Sequence, residues 1–231
     1  EPLARSPPED CMADPGTPRI DPDRLLADLE QLRSFGAQGR GVVRPSLCAA
    51  DMAARQWLCE RMQAAGLEAS IDGIGNVLGR SPRAGKALLL GSHSDTQPRG
   101  GWLDGALGVI YGLEVARALR ECPATADFPV DVGSWIDEEG TFVGFLGSRS
   151  FCGLQDPALR EAARNAAGES LDDALRAAGL EGRPLARLEP ERYAAYLEAH
   201  IEQGPHLEAS GLCIGVVTGI ASSATQEIHL T

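Results

Sequence analysis

Apolar residues recur along this chain with two different spacings. Leu25, Leu26, Leu29 and Leu32 follow Asp21-Pro22 at helical intervals, which predicts a helix with Asp21 as its N-cap and a proline in its first turn. A second helix is predicted over residues 46–65, with Met52, Trp57, Leu58 and Met62 among its apolar positions and Gly66 as its stop. Residues 67–71 and 76–79 read as short strands around the turn Asp72-Gly73. The run Ala87-Leu88-Leu89-Leu90 is continuously apolar, the mark of a strand covered on both faces. Further on, the pattern predicts a helix over 105–120, a strand over 128–136, short helices at 157–165 and 170–178, and strands at 196–201 and 212–220. Residues 36–45 read as a loop. Strands alternating with helices define an α/β fold, with a mixed, mostly parallel sheet flanked by helices.

Composition narrows the function. With 231 residues and 43% hydrophobic content the chain can build one substantial core, or one domain and part of another. Its 33 acidic against 21 basic residues, a formal charge of -12, argue against nucleic acid as a partner, because phosphate binding relies on Lys and Arg. No stretch approaches the ~20 apolar residues that span a bilayer. The opening residues show no signal core, so no membrane association and a cytoplasmic location are expected. Six scattered cysteines without a C-x-x-C pair read as reduced, mostly buried thiols. Residues 1–19, rich in Pro, Gly and charge, read as a disordered leader. The start without Met, and a strand-like pattern at 226–231, lead us to expect a fragment with a few non-native residues in front.

Polar residues cluster at three predicted strand ends. His93 follows the apolar run at 87–90, with Asp95 placed to hold its far ring nitrogen; a structural or surface histidine is the competing explanation. Asp104 precedes Gly105 at a helix start, where it would serve either as an N-cap or as a metal ligand. Asp137-Glu138-Glu139-Gly140 ends the strand at 128–136. It is either a surface charge cluster or a pair of glutamates facing one cavity, one binding metal and the other acting as general base. His200 lies in L-E-A-H-I-E-Q-G-P, where a strand meets a Gly-Pro turn, with Glu202 and Gln203 beside it. Ligands of open α/β sheets bind at the carboxyl ends of strands, and the agreement of the three clusters favours a metal site.

The segments G-S-H-S-D-T-Q-P-R-G-G-W-L-D-G-A-L-G-V, D-E-E-G-T-F with L-G-S-R-S-F, and H-I-E-Q-G-P-H-L-E with I-G-V-V-T-G-I carry a resemblance over residues 20–220. The chain resembles the hydantoinase/carbamoylase family of metal-dependent amidohydrolases, relatives of the aminoacylases and carboxypeptidase-type metallopeptidases. The resemblance implies a di-zinc aminopeptidase/carboxypeptidase-like catalytic domain that is truncated at its C-terminal end. Its parts would be a leader at 1–19, a partial catalytic domain at 20–219 and the start of a lid and dimerisation domain at 220–231. It implies two divalent ions, zinc first, with manganese or cobalt as alternatives. His93 and His200 would bind one ion, Glu139 the other, and Asp104 would bridge them. Glu138 would be the general base, Asp95 would orient His93, and Gln203 would help to hold the substrate. A further histidine and the lid, through which the full-length form would be a homodimer, are not in this sequence. His229 reads as a strand residue and not as a replacement ligand.

The implied reaction is hydrolysis of the carbamoyl (ureido) C–N bond of a small N-carbamoyl amino acid or a related ureido acid such as allantoate, releasing ammonia and carbon dioxide. The fragment by itself is expected to be inactive. The alternatives are an aminoacylase or dipeptidase acting on an ordinary amide, and a non-catalytic truncated remnant.

Overall fold

A computed structural model describes residues 16–220. Most of the predicted leader and the predicted start of a lid, with Cys11 and His229, therefore lie outside the described residues. Of the described residues, those up to Ile201 form one unit and those from Glu202 form a second.

In the first unit, α1 (Pro22–Ser34) begins as predicted, with the Asp21 carboxylate accepting from the Arg24 N–H at 3.0 Å. Its inner stripe is Leu25, Leu29 and Leu32, whereas Leu26 is exposed. One residue on, a helix turns by about 100°, which carries Leu26 off the i, i+4, i+7 stripe. A small antiparallel ribbon, β1 (Ala37–Gln38) and β2 (Gly41–Val42), occupies the predicted loop. Then come α2 (Ala49–Ala64), β3 (Glu68–Ile71), β4 (Val77–Arg80), β5 (Ala87–His93), α3 (Ala106–Glu121) and β6 (Val130–Trp135). Three short helices follow, α4 (Leu146–Phe151), α5 (Pro157–Ala162) and α6 (Leu171–Ala177), and a single 3₁₀ turn at Pro190–Arg192 leads into β7 (Tyr193–Leu197).

The main sheet has the order β3-β4-β6-β5-β7. β6, β5 and β7 run parallel, and the β3–β4 hairpin adds an antiparallel margin through β4 and β6. The sheet is thus mixed, with its parallel strands grouped around β5. Helices α1, α2 and α3 cover one face, where Leu58, Met62, Ile110 and Leu113 pack against Val77, Leu90 and Val132. On other surfaces of the sheet, Leu78, Leu89 and Trp135 pack with Phe151 of α4, and Ile74 and Ile136 pack with Leu171 and Leu175 of α6.

Buried charges tie the three large helices together. Arg24 on α1 meets Glu114 on α3 at 2.8 Å, while Asp28 on α1 takes Arg117 at 2.6 Å and Arg61 at 2.9 Å. Each carboxylate removed from water here has a guanidinium partner, the condition under which buried charge is tolerated.

The second unit carries a single turn of helix, α7 (His206–Ala209), whose first amides donate to the Glu202 carboxylate at 3.1 and 2.8 Å. The strand predicted over 212–220 is not formed. Ile214, Val216 and Val217 are exposed, and β-type side chains make a strand only where a neighbouring backbone accepts the ladder. Among the described residues no helix is long and apolar enough to cross a membrane. Cys59 and Cys122 are buried free thiols, whereas Cys152 and Cys213 are exposed, so the expectation of mostly buried thiols holds only in part.

Candidate metal centre

Parallel pairing brings the carboxyl ends of β6, β5 and β7 to one side of the sheet. β5 ends in His93, β6 leads into Asp137, Glu138 and Glu139, and β7 leads into His200. Asp104 reaches the same place from the turn before α3. It does not cap that helix: the N-cap is Gly105, and no side-chain cap bond is made there.

His93 is the hub and is buried. Its Nε2 lies 3.7 Å from Asp104 Oδ1 and 3.6 Å from Glu138 Oε2. His200 Nε2 lies 3.1 Å from Asp104 Oδ1, and the two imidazole rings are 5.9 Å apart. His93 Nδ1 is 3.0 Å from the Asp95 carbonyl and His200 Nδ1 is 3.0 Å from the Ile201 carbonyl. A carbonyl can only accept, so Nδ1 of each ring is placed to donate, and Nε2 is the atom that each ring turns toward the carboxylates. The group that holds the far nitrogen of His93 is thus the main chain of Asp95, whose carboxylate stands 3.7 Å away. That carboxylate instead accepts from the amides of Glu138, at 3.4 Å, and Glu139, at 3.2 Å.

Two donor groups result, each with its ligand atoms within 4.8 Å of one another: His93, Asp104 and His200, and His93, Glu138 and Glu139. Ligand atoms around a tetrahedral ion with ~2.0–2.1 Å bonds are about 3.3 Å apart, between the separations seen here. The imidazole and carboxylate donors suit zinc, manganese or cobalt. The residues therefore fit a divalent cation. Among the described residues no such group joins Asp104 to Glu139.

Local sequence explains the placement. Gly105 adopts φ +62°, and a Cβ there would overlap the His93 ring, so only glycine allows Asp104 to approach so closely. At Gly108 a Cβ would overlap the Ala199 carbonyl, so the helix surface is bare where the segment bearing His200 crosses it. Asp137 is buried at φ +56°, and its carboxylate takes the amides of Phe142 at 3.0 Å and Val143 at 2.7 Å, folding the loop that presents both glutamates. β7 is secured by Glu198, which bonds Ser92 Oγ at 2.5 Å and the Tyr196 hydroxyl at 2.7 Å. Asp137 and Glu198 fall within the segments singled out from the sequence, but neither was given a role there; the signal was a further carboxylate in each cluster. Gln203 belongs to the second unit.

Burial pushes the Glu138 carboxyl above its ordinary range; His93 opposes this and the neighbouring Glu139 adds to it. Partly exposed and raised in this way, Glu138 has the character of a proton-accepting carboxylate. On the outer side of Glu139, whose carboxylate accepts from Gln97 Nε2 at 2.8 Å, a cleft of about 420 Å³ opens between Pro45, Pro98, Gly140, Asn165 and Ala167.

The family model described as Peptidase family M28 matches residues 74–176. The crystal structure of an amidase of the hydantoinase/carbamoylase family from Burkholderia phymatum aligns with a TM-score of 0.83 at 64% identity, covering 84% of this chain and 48% of that one. N-carbamoyl-L-amino acid amidohydrolase of Geobacillus stearothermophilus is 39% identical over 211 residues, 87% of this chain and 51% of its own length. Allantoate deiminase of Arabidopsis thaliana is 33% identical over 217 residues, 89% of this chain and 41% of its own. The chain spans about half the length of the relatives it matches. With fold, strand-end cluster and sequence in agreement, the chain is similar over most of its length to amidases of the hydantoinase/carbamoylase family.

Proposed function

We propose that these residues form the metal-binding part of a hydrolase that cleaves the ureido C–N bond of an N-carbamoyl amino acid or a related ureido acid such as allantoate. The observation that carries this reading is the convergence of His93, Asp104 and His200 on one point, with a raised Glu138 carboxyl beside it. His93, Asp104 and His200 would hold one divalent ion. Glu139 would hold a second that shares Asp104, and zinc is favoured over manganese or cobalt. When bound, such ions supply a water nucleophile at neutral pH and polarise the scissile carbonyl. Glu138 takes the proton of the attacking water and returns it to the departing nitrogen. Asp95 keeps the two glutamates and His93 in register. Gln203 would contact the substrate, and the cleft beside Glu139 would accept the substrate's side chain.

Turnover is assigned to a protein that also carries the further histidine and the lid that the family resemblance implies, the lid serving as a homodimer contact; the present chain by itself would bind metal without turning over. Release of ammonia from N-carbamoyl amino acids and allantoate, set against hydrolysis of N-acetyl amino acids and dipeptides, tests the substrate class. The peptidase model match over 74–176 gives the amide reading its support, and faster cleavage of the acetyl or peptide substrates would establish it. Glu138→Gln should keep stoichiometric metal and lose turnover, whereas Asp104→Ala should lose metal. Loss of metal in Glu138→Gln would make Glu138 a ligand and sink its role as base.

A further inference from the structure

Behind the paired glutamates lies a buried guanidinium to which the proposed reaction gives no task. Arg55, on α2, has no exposed side-chain surface. Its Nε donates to Asp51 Oδ2 at 2.9 Å, and its Nη1 donates to the carbonyls of Gly75 at 3.1 Å and Ser134 at 3.4 Å. Among the described residues its Nη2 has no hydrogen-bond acceptor, and it lies 3.9 Å from Asp95 Oδ1. Asp95 is itself fully buried, and its carboxylate is the acceptor for the Glu138 and Glu139 amides. Arg44 stands nearby, donating its Nε to the Ser94 carbonyl at 2.7 Å.

We propose that Arg55 is a positioning residue for the metal centre: its charge holds the Asp95 carboxylate in place, and Asp95 in turn holds the main chain that presents Glu138 and Glu139. The proposal rests on the metal-hydrolase reading above. A guanidinium suits the task because its rigid fork reaches Asp51, two carbonyls and Asp95 in different directions at once, which a single ammonium cannot do. A buried cation beside two buried carboxylates offsets part of the cost of taking them out of solvent. Asp95 accepts one amide on each of its two oxygens, so its orientation fixes both. If Arg55 only fastened α2 to the sheet, its loss would loosen the whole unit evenly. If it acts through Asp95, the loss would concentrate at two amides.

Arg55→Met alone strands the Asp51 charge and endangers folding, so the working variant is Asp51→Asn with Arg55→Met, which removes cation and partner together. Amide exchange and thermal melting are measured on the metal-free chain in chelator, followed by zinc titration against a chromophoric competitor. The expected result is a melting point close to that of the parent and exchange at Glu138 and Glu139 at least about tenfold faster, with Val132 and Gly133 unchanged. Zinc affinity should be about 10- to 100-fold lower, the usual effect of removing an outer support of a metal ligand. Unchanged exchange and unchanged zinc affinity overturn the proposal. So does uniform acceleration across the chain or loss of folding, which would make Arg55 a general fastener. Failure of the parent chain to take zinc overturns the metal reading itself, and the exchange data distinguish that failure from this one.

Discussion

Gly105→Ala is the sharpest perturbation of the site that leaves every proposed ligand in the sequence. Gly105 adopts φ +62° with ψ −46°, outside the left-handed helical well, and an L-residue held there costs about 1–3 kcal/mol. At ~2–4 °C per kcal/mol for a chain of this size, the metal-free melting point should fall by about 2–12 °C. The added methyl would also overlap Cδ2, Nε2 and Cε1 of His93, whereas ordinary contact begins at 3.4 Å. The ring must therefore move by about 1 Å, several times the ~0.2 Å tolerance of a metal–ligand bond. Zinc affinity should drop at least about tenfold, more than the backbone strain alone explains. Gly101→Ala is the control, because a Cβ there meets only the Asp104 Cβ, at 3.9 Å, and the residue has no positive φ. Melting in chelator isolates the backbone cost, and zinc titration isolates the displacement of His93. Parent-like zinc affinity in folded Gly105→Ala, or an equal loss in Gly101→Ala, would refute the reasoning.

Other expectations concern the fold that carries the site. Arg192 grips the buried Asp131 carboxylate with two bonds of 2.7 and 2.9 Å, so Arg192→Met should cost about 1–3 kcal/mol in urea unfolding, and adding Asp131→Asn should restore part of it. Leu113 is fully buried under the sheet, and Leu113→Ala should cost about 2–5 kcal/mol by the same measurement. Burial works to raise the Glu114 carboxyl, but its bonds to Arg24, the Asp21 amide and Arg117 prevail and hold it below the ordinary range. A folded value below the unfolded one gives stability that is complete above the unfolded pKa and disappears as pH falls through the folded pKa. In chelator, the stability gap between the parent and Glu114→Gln should therefore be full at pH 7 and shrink on acidification below the ordinary glutamate range. A pH-independent gap would contradict this.

Much of the architecture was legible because its periods are long and undisturbed. The stripe Leu25, Leu29, Leu32 and the helix after Gly105 each bury one face, the unbroken run at 87–90 is covered on both, and the apolar pattern reports each directly. α4 was not legible: Leu146–Phe151 is a single short helix, with too few turns to show a period. β7 begins at Tyr193, earlier than the predicted 196–201, because Arg192 and Tyr193 both bind Asp131 of β6 and set its register by a side-chain contact that no pattern encodes. The chemistry-bearing residues were legible as polar clusters at strand ends. The contact of Asp95 was not, since sequence does not distinguish a carboxylate that faces a histidine from one that faces two amides.

Among the described residues β7 lies at the margin of its sheet, paired with β5 alone, and it is the element that leads to His200. Marginal strands open at lower free energy than central ones, so His200 would come and go with the edge of the sheet. An ion shared by His93 and His200 would then act as a rivet across the β5–β7 seam. At a hundredfold excess over its dissociation constant such a ligand adds about 2.7 kcal/mol to the closed state. Protection of the β7 amides should rise with metal concentration, so that occupancy of the centre could be followed from the seam of the sheet without any substrate.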